Sequence, residues 1–220
     1  MTVALIPARG GSKGIPRKNL QPIANLPLVA RMIKIALRGK VEEVWVSTDD
    51  YEISQVAKEC GAQVIQRPPE ISGDQSSTES CIDHFLAELN PKIDQLVCLL
   101  QATSPFLNPE TIKTCIKTLE HNLEVNSCFT ARVAHPFLWK SSQAFWEPSN
   151  HSRKYRPRRQ ELPESAIETG ACYAFRVHSY LEQRTRFPSP SQIVMTSYLE
   201  SLDIDTPKDL AEAQRIAECM

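Results

Sequence analysis

Hydrophobic residues along the chain fall into two patterns: short continuous apolar runs, and longer stretches in which apolar positions recur every three or four residues. The first pattern is typical of buried strands and the second of amphipathic helices. Through residue 121 the two alternate, with strands predicted at 3–7, 44–47, 63–65 and 95–100 and helices at 27–38, 51–60, 76–89 and 108–121. This alternation predicts a three-layer α/β/α fold around a mainly parallel sheet, with ligands at the carboxyl ends of the strands.

Two details of this half are specific enough to check. The run 95–100 is almost wholly apolar, so we expect it at the centre of the sheet. Ser76 and Glu79 have the spacing of a capping box, so we expect Ser76 to cap the third helix.

The alternation stops after a strand predicted at 128–133. Residues 135–163 contain Trp139, Trp146, several prolines and a run of cations, and are too long and aromatic for an ordinary connection. We expect an arm there, with its own hairpin or a contact to a second subunit. The remaining predicted elements return to the core and are strands at 171–177, 192–195 and 202–205, a short helix at 179–184 and a terminal helix capped by Thr206. The whole chain, 1–220, is expected to form one domain that carries this arm.

Composition narrows the class of protein. Of the 220 residues, 41% are hydrophobic and 23% are charged, which suffices for one substantial core. No apolar run approaches the roughly 18 residues of a membrane span, and the chain opens on a strand in place of a leader segment, so we expect a cytoplasmic protein without membrane contact. A net charge of −1 argues against a general nucleic-acid binder.

Cysteine and histidine spacing contains no metal motif. The seven cysteines are an odd number without a CxxC pair, which favours reduced, buried thiols over disulfides or zinc. The five histidines lack the HExxH spacing, and no Ser–His–Asp or Cys–His arrangement can be argued from the sequence. We therefore expect no covalent enzyme intermediate.

The first strand runs into a loop rich in glycine and positive charge, residues 8–19, called here the glycine loop. It contains Gly10, Gly11 and Gly14 beside Arg9, Lys13, Arg17 and Lys18. Glycine lets backbone N–H groups approach an oxyanion and the cations neutralise phosphate, so the loop predicts a triphosphate-binding site. It is not a P-loop, because Lys13 precedes Gly14 instead of Ser or Thr, and Ser12 stands where a dinucleotide fingerprint needs its second glycine. The alternative is an ordinary solvated loop.

Four segments resemble a known family. ARGGSKGIPRKN (8–19), LLQATSPF (99–106), RRQELP (158–163) and SLDIDTPKDL (201–210) are similar to signature segments of N-acylneuraminate cytidylyltransferases, the CMP-sialic acid synthetases. They occur in the family's order over nearly the whole chain. The resemblance implies a nucleotide-diphosphosugar transferase (Rossmann-like) fold, CTP and an acidic nine-carbon sugar as substrates, and a homodimer in which a projecting dimerisation arm helps to close the partner's sugar site.

The resemblance also implies a nucleotide site. Its residues are Arg9, Gly10, Gly11, Ser12, Lys13 and Lys18 around the phosphates, Asn19 at the nucleotide, and Arg67, Ser77 and Thr78 at the cytidine and ribose. Without the resemblance, Arg67 could be a surface cation, and Ser77 and Thr78 could simply belong to the first turn of a helix.

Asp203 and Asp205 are the candidate metal ligands. In the strand predicted there, residues two apart point to one face, so the two carboxylates would repel unless a cation lay between them. Mg²⁺ takes such oxygens and links them to substrate phosphates. The alternative is that Asp205 supports the turn into the terminal helix and Asp203 lies on a solvated face.

Polar residues after the apolar strand at 95–100 are candidates for the sugar site. Gln101, Thr103 and Ser104 offer an amide and two hydroxyls to a sugar, although a plain Ser-Pro turn is the alternative. The family usually has proline at position 102, where this chain has alanine.

The resemblance adds Arg159, Gln160, Gly170 and Tyr173 to the sugar site. An arginine can bind the sugar carboxylate through two hydrogen bonds, whereas the cations at 153–159 would otherwise indicate a solvated face or a nucleic-acid patch. Ile167 and Thr169 depart from the arginine and asparagine that the family usually has near the sugar, which leaves the substrate open.

The predicted function is Mg²⁺-dependent transfer of CMP from CTP to the anomeric hydroxyl of a nonulosonic acid, with release of pyrophosphate. Arg9, Lys18, Asp203 and Asp205 would carry the catalysis through positioning and charge neutralisation. The alternatives are the same reaction on 3-deoxy-manno-octulosonate, legionaminic acid or pseudaminic acid, a non-catalytic nucleotide- or sugar-binding protein, and a nucleic-acid binder that uses residues 153–159.

Overall fold

A seven-stranded sheet organises the computed structural model, which describes residues 2–162 and 164–220. The strands are β1 Thr2–Pro7, β2 Pro22–Ile23, β3 Leu26–Pro27, β4 Glu43–Thr48, β5 Gln63–Gln66, β6 Leu96–Leu100, β7 Ser127–Val133, β8 Trp139–Ser142, β9 Phe145–Pro148, β10 Ala166–Arg176 and β11 Ser191–Met195. The helices are α1 Leu28–Arg38, α2 Tyr51–Glu59, α3 Thr78–Leu89, α4 Pro109–His121, α5 Val177–Gln183 and α6 Pro207–Glu218.

The main sheet has the order β11-β7-β10-β6-β1-β4-β5. Neighbouring strands are parallel except at β10, which runs antiparallel to both β6 and β7. The predicted mainly parallel sheet is therefore confirmed, with one reversed strand between β6 and β7. Every residue of β6 is buried, as its unbroken apolar run predicts.

Helices cover both faces of the sheet, which gives the predicted three layers. Apolar residues of α1, α2 and α4 pack on one face, and those of α3 and α5 pack on the other. The apolar side of α6 packs instead on Ile15 of the glycine loop and on Ile23 and Leu28 beyond it. This third cluster holds the chain segment before α6 next to the glycine loop.

The strand predicted at 202–205 is wrong. Residues 202–205 lie outside the regular strands and helices, and the Ile204 N–H donates to the Thr103 carbonyl oxygen at 3.0 Å. The alternating Leu-Asp-Ile-Asp pattern is satisfied because Ile204 is buried while its neighbours are exposed, without a continuous ladder to another strand.

The capping box predicted at Ser76 is also wrong. Helix α3 begins one residue later, with Ser77 as its cap accepting a hydrogen bond from the Ser80 N–H at 3.1 Å. Glu79 instead pairs with Arg186 at 2.9 Å. Thr206 caps α6 as predicted, and Asp209 completes a capping box with it.

Residues 135–163 contain a hairpin that is separate from the main sheet. Its strands are β8 and β9, and Phe145 and Trp146 at its end are largely exposed. A short 3₁₀ turn follows at Arg159–Glu161. Pro163, the last residue of the predicted arm, lies outside the described residues, and a role for the arm in dimerisation stays a prediction.

No helix in the described part of the chain combines the length and apolarity needed to cross a membrane. Of the cysteines, Cys81, Cys98, Cys115, Cys128 and Cys172 are buried. Cys60 is partly buried and Cys219 is exposed.

Candidate active site

A cavity of about 230 Å³ lies beyond the carboxyl ends of β1 and β6, between the glycine loop and the segment that leads into α3. This is the edge at which the sequence pattern predicts a ligand. The predicted site residues on its wall are Arg9, Gly11, Ser12, Lys18, Asn19, Arg67, Ser77, Thr78, Gln101 and Thr103. Residues from four separate segments of the sequence are thus brought together around one cavity.

The glycines of the loop make close approaches to neighbouring chain segments. A Cβ atom on Gly14 would lie 2.6 Å from the Asp205 carbonyl oxygen, so only glycine lets the loop pass so close to the acidic segment. A Cβ atom on Gly10 would lie 2.7 Å from the Asp50 carboxylate, and the Gly10 N–H donates to Asp49 Oδ1 at 2.9 Å. Gly10 is therefore not on the cavity wall, and its N–H is already used, whereas Gly11 lines the cavity.

The cations of the glycine loop do not all face the cavity. Arg9 lies on the wall, and both Arg9 and Lys13 pair with Asp74, which also lies on the wall. Arg17 points away and pairs with Asp50 at 3.0 Å and with Glu52 at 2.8 Å. Arg17, which the sequence groups with the phosphate-binding cations, is thus a structural ion-pair partner.

Lys18 joins the glycine loop to the acidic segment. Its Nζ atom donates to the Ile204 carbonyl oxygen at 2.8 Å and to Asp205 Oδ1 at 3.1 Å. The lysine side chain is only 16% exposed, whereas that of Asp205 is 72% exposed. The positive loop and the acidic pair therefore meet at one edge of the cavity.

Asp203 and Asp205 face each other although they are not in a strand. Burial by neighbouring residues raises the pKa of Asp203 even though part of its side chain remains open to solvent. A hydrogen bond from Thr103 opposes this rise in pKa, and repulsion from Asp205 adds to it. A cation between the two carboxylates would relieve the repulsion.

Two carboxylates are a small ligand set for a divalent cation. In the described part of the chain, no group of three or more His, Cys, Asp and Glu side chains is arranged to hold a metal ion. Mg²⁺ is commonly bound through one or two carboxylates, with water and substrate phosphates as its other ligands. The acidic pair fits that mode of binding, in which the substrate completes the site.

The raised pKa of Asp203 has a consequence for stability. A carboxyl group whose pKa is higher in the folded chain than in the unfolded chain destabilises the fold as the pH rises above its unfolded value of about 4. We expect Asp203→Asn to be more stable to urea than the wild type at pH 7, by up to about 1 kcal/mol because the group is partly solvated. Urea unfolding in the absence of divalent metal would measure the difference, which should shrink as the pH falls toward 4. A difference that is the same at every pH, or of opposite sign, contradicts this account of Asp203.

The residues predicted to bind cytidine all line the cavity, whereas Asp203 and Asp205 reach it only through the contact of Asp205 with Lys18 and are not on its wall. Arg67 is buried, and its guanidinium group donates to Ser47 Oγ at 3.1 Å and to the Ser47 carbonyl oxygen at 2.8 Å. Ser77 is the cap of α3 and Thr78 is its first residue. Ser77 therefore does cap the helix, and both Ser77 and Thr78 also line the cavity.

Among the predicted sugar-binding residues, Gln101 and Thr103 are on the cavity wall and Ser104 is not. Ser104 is fully buried, and within the described residues its hydroxyl group has no hydrogen-bond partner. Asn19 is also buried, and its side chain donates to the Arg9 carbonyl oxygen at 2.9 Å. That bond shapes the glycine loop.

Gly170 and Tyr173, two further predicted sugar-binding residues, lie in β10 and are not on the cavity wall. Gly170 has a φ of +76°, which favours glycine. Tyr173 is buried and donates a hydrogen bond to Glu168, and burial and this carboxylate together raise the pKa of the tyrosine. The negative charge of Asp203 also raises the pKa of Tyr173.

The two residues that depart from the family pattern are also in β10. The hydroxyl group of Thr169 is buried and donates to Thr130. Ile167 is 39% exposed and lies opposite Arg132 of β7 in the register of the sheet.

Arg159 and Gln160 are on the exposed 3₁₀ turn of the arm and are absent from the cavity wall. A single chain therefore does not bring them to the other predicted site residues.

Several residues of the wall were not predicted as site residues, among them Gly73, Asp74, Ser76 and Cys81. Gly73 and Asp74 follow the Arg-Pro-Pro segment in a loop whose polar composition is ordinary. The loop contains two acidic residues, Glu70 and Asp74, and nothing in the sequence singles out Asp74 from Glu70.

Solved structures identify the fold. CMP:2-keto-3-deoxy-manno-octonic acid synthetase, solved in complex with CTP, superposes with a TM-score of 0.73 at 20% identity, covering 99% of this chain and 98% of that chain. A 4-diphosphocytidyl-2C-methyl-D-erythritol synthase from Anaerococcus prevotii superposes with a TM-score of 0.69 at 14% identity. The chain has the nucleotidyltransferase fold.

The family follows from sequence. The family model described as Cytidylyltransferase matches residues 3–220, and the chain belongs to this family. The resemblance carried by the four segments is thereby confirmed.

Relatives within the family carry different names. N-acylneuraminate cytidylyltransferase B of Danio rerio is 40% identical over 174 residues, which cover 77% of this chain and 40% of that protein. This chain thus spans about 40% of the length of the fish protein. Pseudaminic acid cytidylyltransferase of Campylobacter jejuni is 31% identical, covering 96% of this chain and 94% of that protein. CMP-N,N'-diacetyllegionaminic acid synthase of Legionella pneumophila is 32% identical, covering 98% and 96%.

Proposed function

We propose that this protein transfers CMP from CTP to the anomeric hydroxyl group of a nonulosonic acid and releases pyrophosphate. The observation that carries the proposal is Lys18, which lies on the cavity wall with the glycine loop and contacts Asp205 of the acidic pair at 3.1 Å. This contact supports a site in which cations for a triphosphate and carboxylates for a divalent ion act together, as nucleotidyl transfer needs.

The protein residues would act by positioning and charge neutralisation. In-line attack on the α-phosphorus builds negative charge on the phosphate oxygens, and Arg9, Lys13 and Lys18 are the cations near enough to the cavity to balance it. Ser12 would donate to a phosphate oxygen from the same loop. Gln101 and Thr103, which also line the cavity, would orient the sugar so that its hydroxyl group faces the phosphorus.

We also propose that Asp203 and Asp205 hold Mg²⁺. The acidic pair suits a divalent ion because burial and mutual repulsion raise the pKa of Asp203, and bound Mg²⁺ would relieve both costs. When bound, the ion would neutralise the triphosphate and favour departure of pyrophosphate. Asp205 would then exchange its contact with Lys18 for the ion, which leaves Lys18 available to phosphate.

The substrate class proposed is a nonulosonic acid, without a choice among its members. The fish relative is named for an N-acylneuraminate, and the bacterial relatives are named for pseudaminic and legionaminic acids. Ile167 and Thr169 supply an apolar side chain and a buried hydroxyl where the family usually has arginine and asparagine. They keep legionaminic and pseudaminic acids open beside sialic acid, with 3-deoxy-manno-octulosonate as the smaller alternative.

We propose a homodimer in which the arm of each chain completes the sugar site of the other. Arg159 and Gln160 are on the arm and away from their own cavity, and Phe145 and Trp146 at the hairpin end are 73% and 63% exposed. Large exposed aromatic side chains close together are typical of an interface. Buried free thiols fit a reducing compartment, so we propose a cytoplasmic location.

Pyrophosphate release tests the proposed function. The protein is incubated with Mg²⁺, one of the four nucleoside triphosphates and one sugar acid from a panel of sialic, legionaminic, pseudaminic and 3-deoxy-manno-octulosonic acids. We expect release with CTP and at least one member of the panel, and only background release with ATP, GTP or UTP. If no acid causes pyrophosphate release from CTP, the protein is a non-catalytic nucleotide- or sugar-binding protein and the proposed activity is wrong.

A further inference from the structure

Asp74 occupies an unusual position in the candidate active site. It lies in the Gly73–Ser76 turn between β5 and α3, where the Ser76 N–H donates to the Gly73 carbonyl oxygen at 3.2 Å. Its Oδ1 atom is 2.8 Å from Arg9 Nη1, and its Oδ2 atom is 2.9 Å from Lys13 Nζ. Each carboxylate oxygen thus binds one cation of the glycine loop.

These two cations are the ones that the proposed function assigns to the triphosphate. Asp74 lies on the cavity wall beside Arg9, so its carboxylate takes the place from which a phosphate oxygen would reach the same nitrogen atoms. Hydrogen bonds and charge from Lys13 and Arg9 hold the pKa of Asp74 below its usual range. The carboxylate therefore stays charged at neutral pH and keeps both pairs.

The third cation proposed to bind phosphate is paired with a carboxylate in the same way. Lys18 pairs with Asp205, so all three cations proposed to bind phosphate already have a carboxylate partner within the chain. The two carboxylates differ in what they could do next. Asp205 has a second carboxylate, Asp203, beside it and could take a cation in exchange for Lys18, whereas the charged groups that shift the pKa of Asp74 are both cations, Lys13 and Arg9.

We propose that Asp74 is an internal substitute for phosphate, which positions Arg9 and Lys13 in the free protein and releases them when the triphosphate binds. The inference rests on the proposed function only in taking the cavity as a triphosphate site. Asp74 is thus a positioning residue that competes with the nucleotide, and the turn that carries it would move as CTP enters.

The direction of the effect follows from the contacts. A triphosphate must break both Asp74 pairs and approach a negative carboxylate, so neutral asparagine removes a competitor and a repulsion together. Little stability is lost in exchange, because the Lys13 side chain is 75% exposed and an exposed ion pair contributes little. We therefore expect tighter binding by about threefold to tenfold, the range given by losing one or two partly exposed ion pairs.

Calorimetric titration with inorganic tripolyphosphate and with CTP tests the inference on Asp74→Asn, Glu70→Gln and the wild type. Glu70 is an exposed acid of the same loop that makes no ion pair with the described residues, so its substitution changes the net charge equally. We expect Asp74→Asn to bind both ligands threefold to tenfold more tightly, with a larger gain at low salt, and Glu70→Gln to stay within about twofold of the wild type. If the protein is active, Asp74→Asn should lower KM for CTP while kcat stays nearly constant.

The outcomes separate this inference from the proposed function. Equal or weaker binding of tripolyphosphate by Asp74→Asn overturns the inference, because Asp74 would then be neutral or would contact the ligand directly. Failure of every variant to bind tripolyphosphate overturns it too. Tighter tripolyphosphate binding by Asp74→Asn without any preference for CTP among nucleotides supports the role of Asp74 and counts against the cytidylyltransferase activity.

Discussion

Asp205→Ala is expected to lower the turnover number with CTP and the sugar acid by about 10²-fold to 10³-fold at ordinary Mg²⁺ concentrations. Loss of one preorganised charge contact to a transferring phosphate typically costs about 3 to 4 kcal/mol in the barrier. The contact that Asp205→Ala would lose is the proposed one to the metal, which replaces the observed pair of Asp205 with Lys18 at 3.1 Å. Steady-state pyrophosphate release over a range of Mg²⁺ concentrations measures the loss.

The control for Asp205→Ala is Glu218→Gln, which removes an exposed carboxylate at the far end of α6 and should retain full turnover. Circular dichroism and urea unfolding would establish that both variants fold. Wild-type turnover by Asp205→Ala at ordinary Mg²⁺ would remove Asp205 from the proposed metal site.

Gly14→Ala is expected to lower kcat/KM for CTP by about 10²-fold with the fold intact. The added Cβ atom would lie 2.6 Å from the Asp205 carbonyl oxygen, so the glycine loop or the acidic segment must shift. A displacement of roughly 1 Å between groups that act together can cost this much. Steady-state kinetics with CTP would measure the loss in kcat/KM. Calorimetric titration of Mg²⁺ in the presence of CTP would show whether the shift of the two segments also weakens metal binding.

Gly11→Ala is the comparison for Gly14→Ala. A Cβ atom on Gly11 would meet nothing within 4 Å, although the residue lines the cavity. Gly11→Ala should therefore lower kcat/KM for CTP by less than tenfold, because its only effect would be to crowd the nucleotide. Equal losses in the two variants would mean that contact between the glycine loop and the acidic segment has no special importance.

The sequence was sufficient to predict the fold where the signal is local. The wholly buried strand β6 and the capping box at Thr206 each follow from residues adjacent in the chain. The strand predicted at 202–205 failed because alternation at Leu-Asp-Ile-Asp reports only which side chains are buried. The Ile204 N–H donates to the Thr103 carbonyl oxygen, and no local pattern predicts a contact between residues so far apart in the sequence.

The candidate site was predictable in its residue types and less so in their pairing. Glycine and charge after β1 indicated phosphate binding, and the structure brings that loop to Asp205 through Lys18 and Gly14. Arg17 could not be separated from the other cations, because its orientation depends on Asp50 and Glu52 in another loop. Asp74 carried no signal, since its importance comes only from the two cations that fold against it.

Calorimetric titration of CTP against ATP, GTP and UTP, each with and without Mg²⁺, tests most directly whether this cavity holds a cytidine triphosphate between the glycine loop and the acidic pair. We predict that CTP binds at least tenfold more tightly than the other three nucleotides, and that Mg²⁺ strengthens its binding in the wild type and much less in Asp205→Ala. Equal affinity for all four nucleotides, or an affinity for CTP that does not respond to Mg²⁺, would contradict the account.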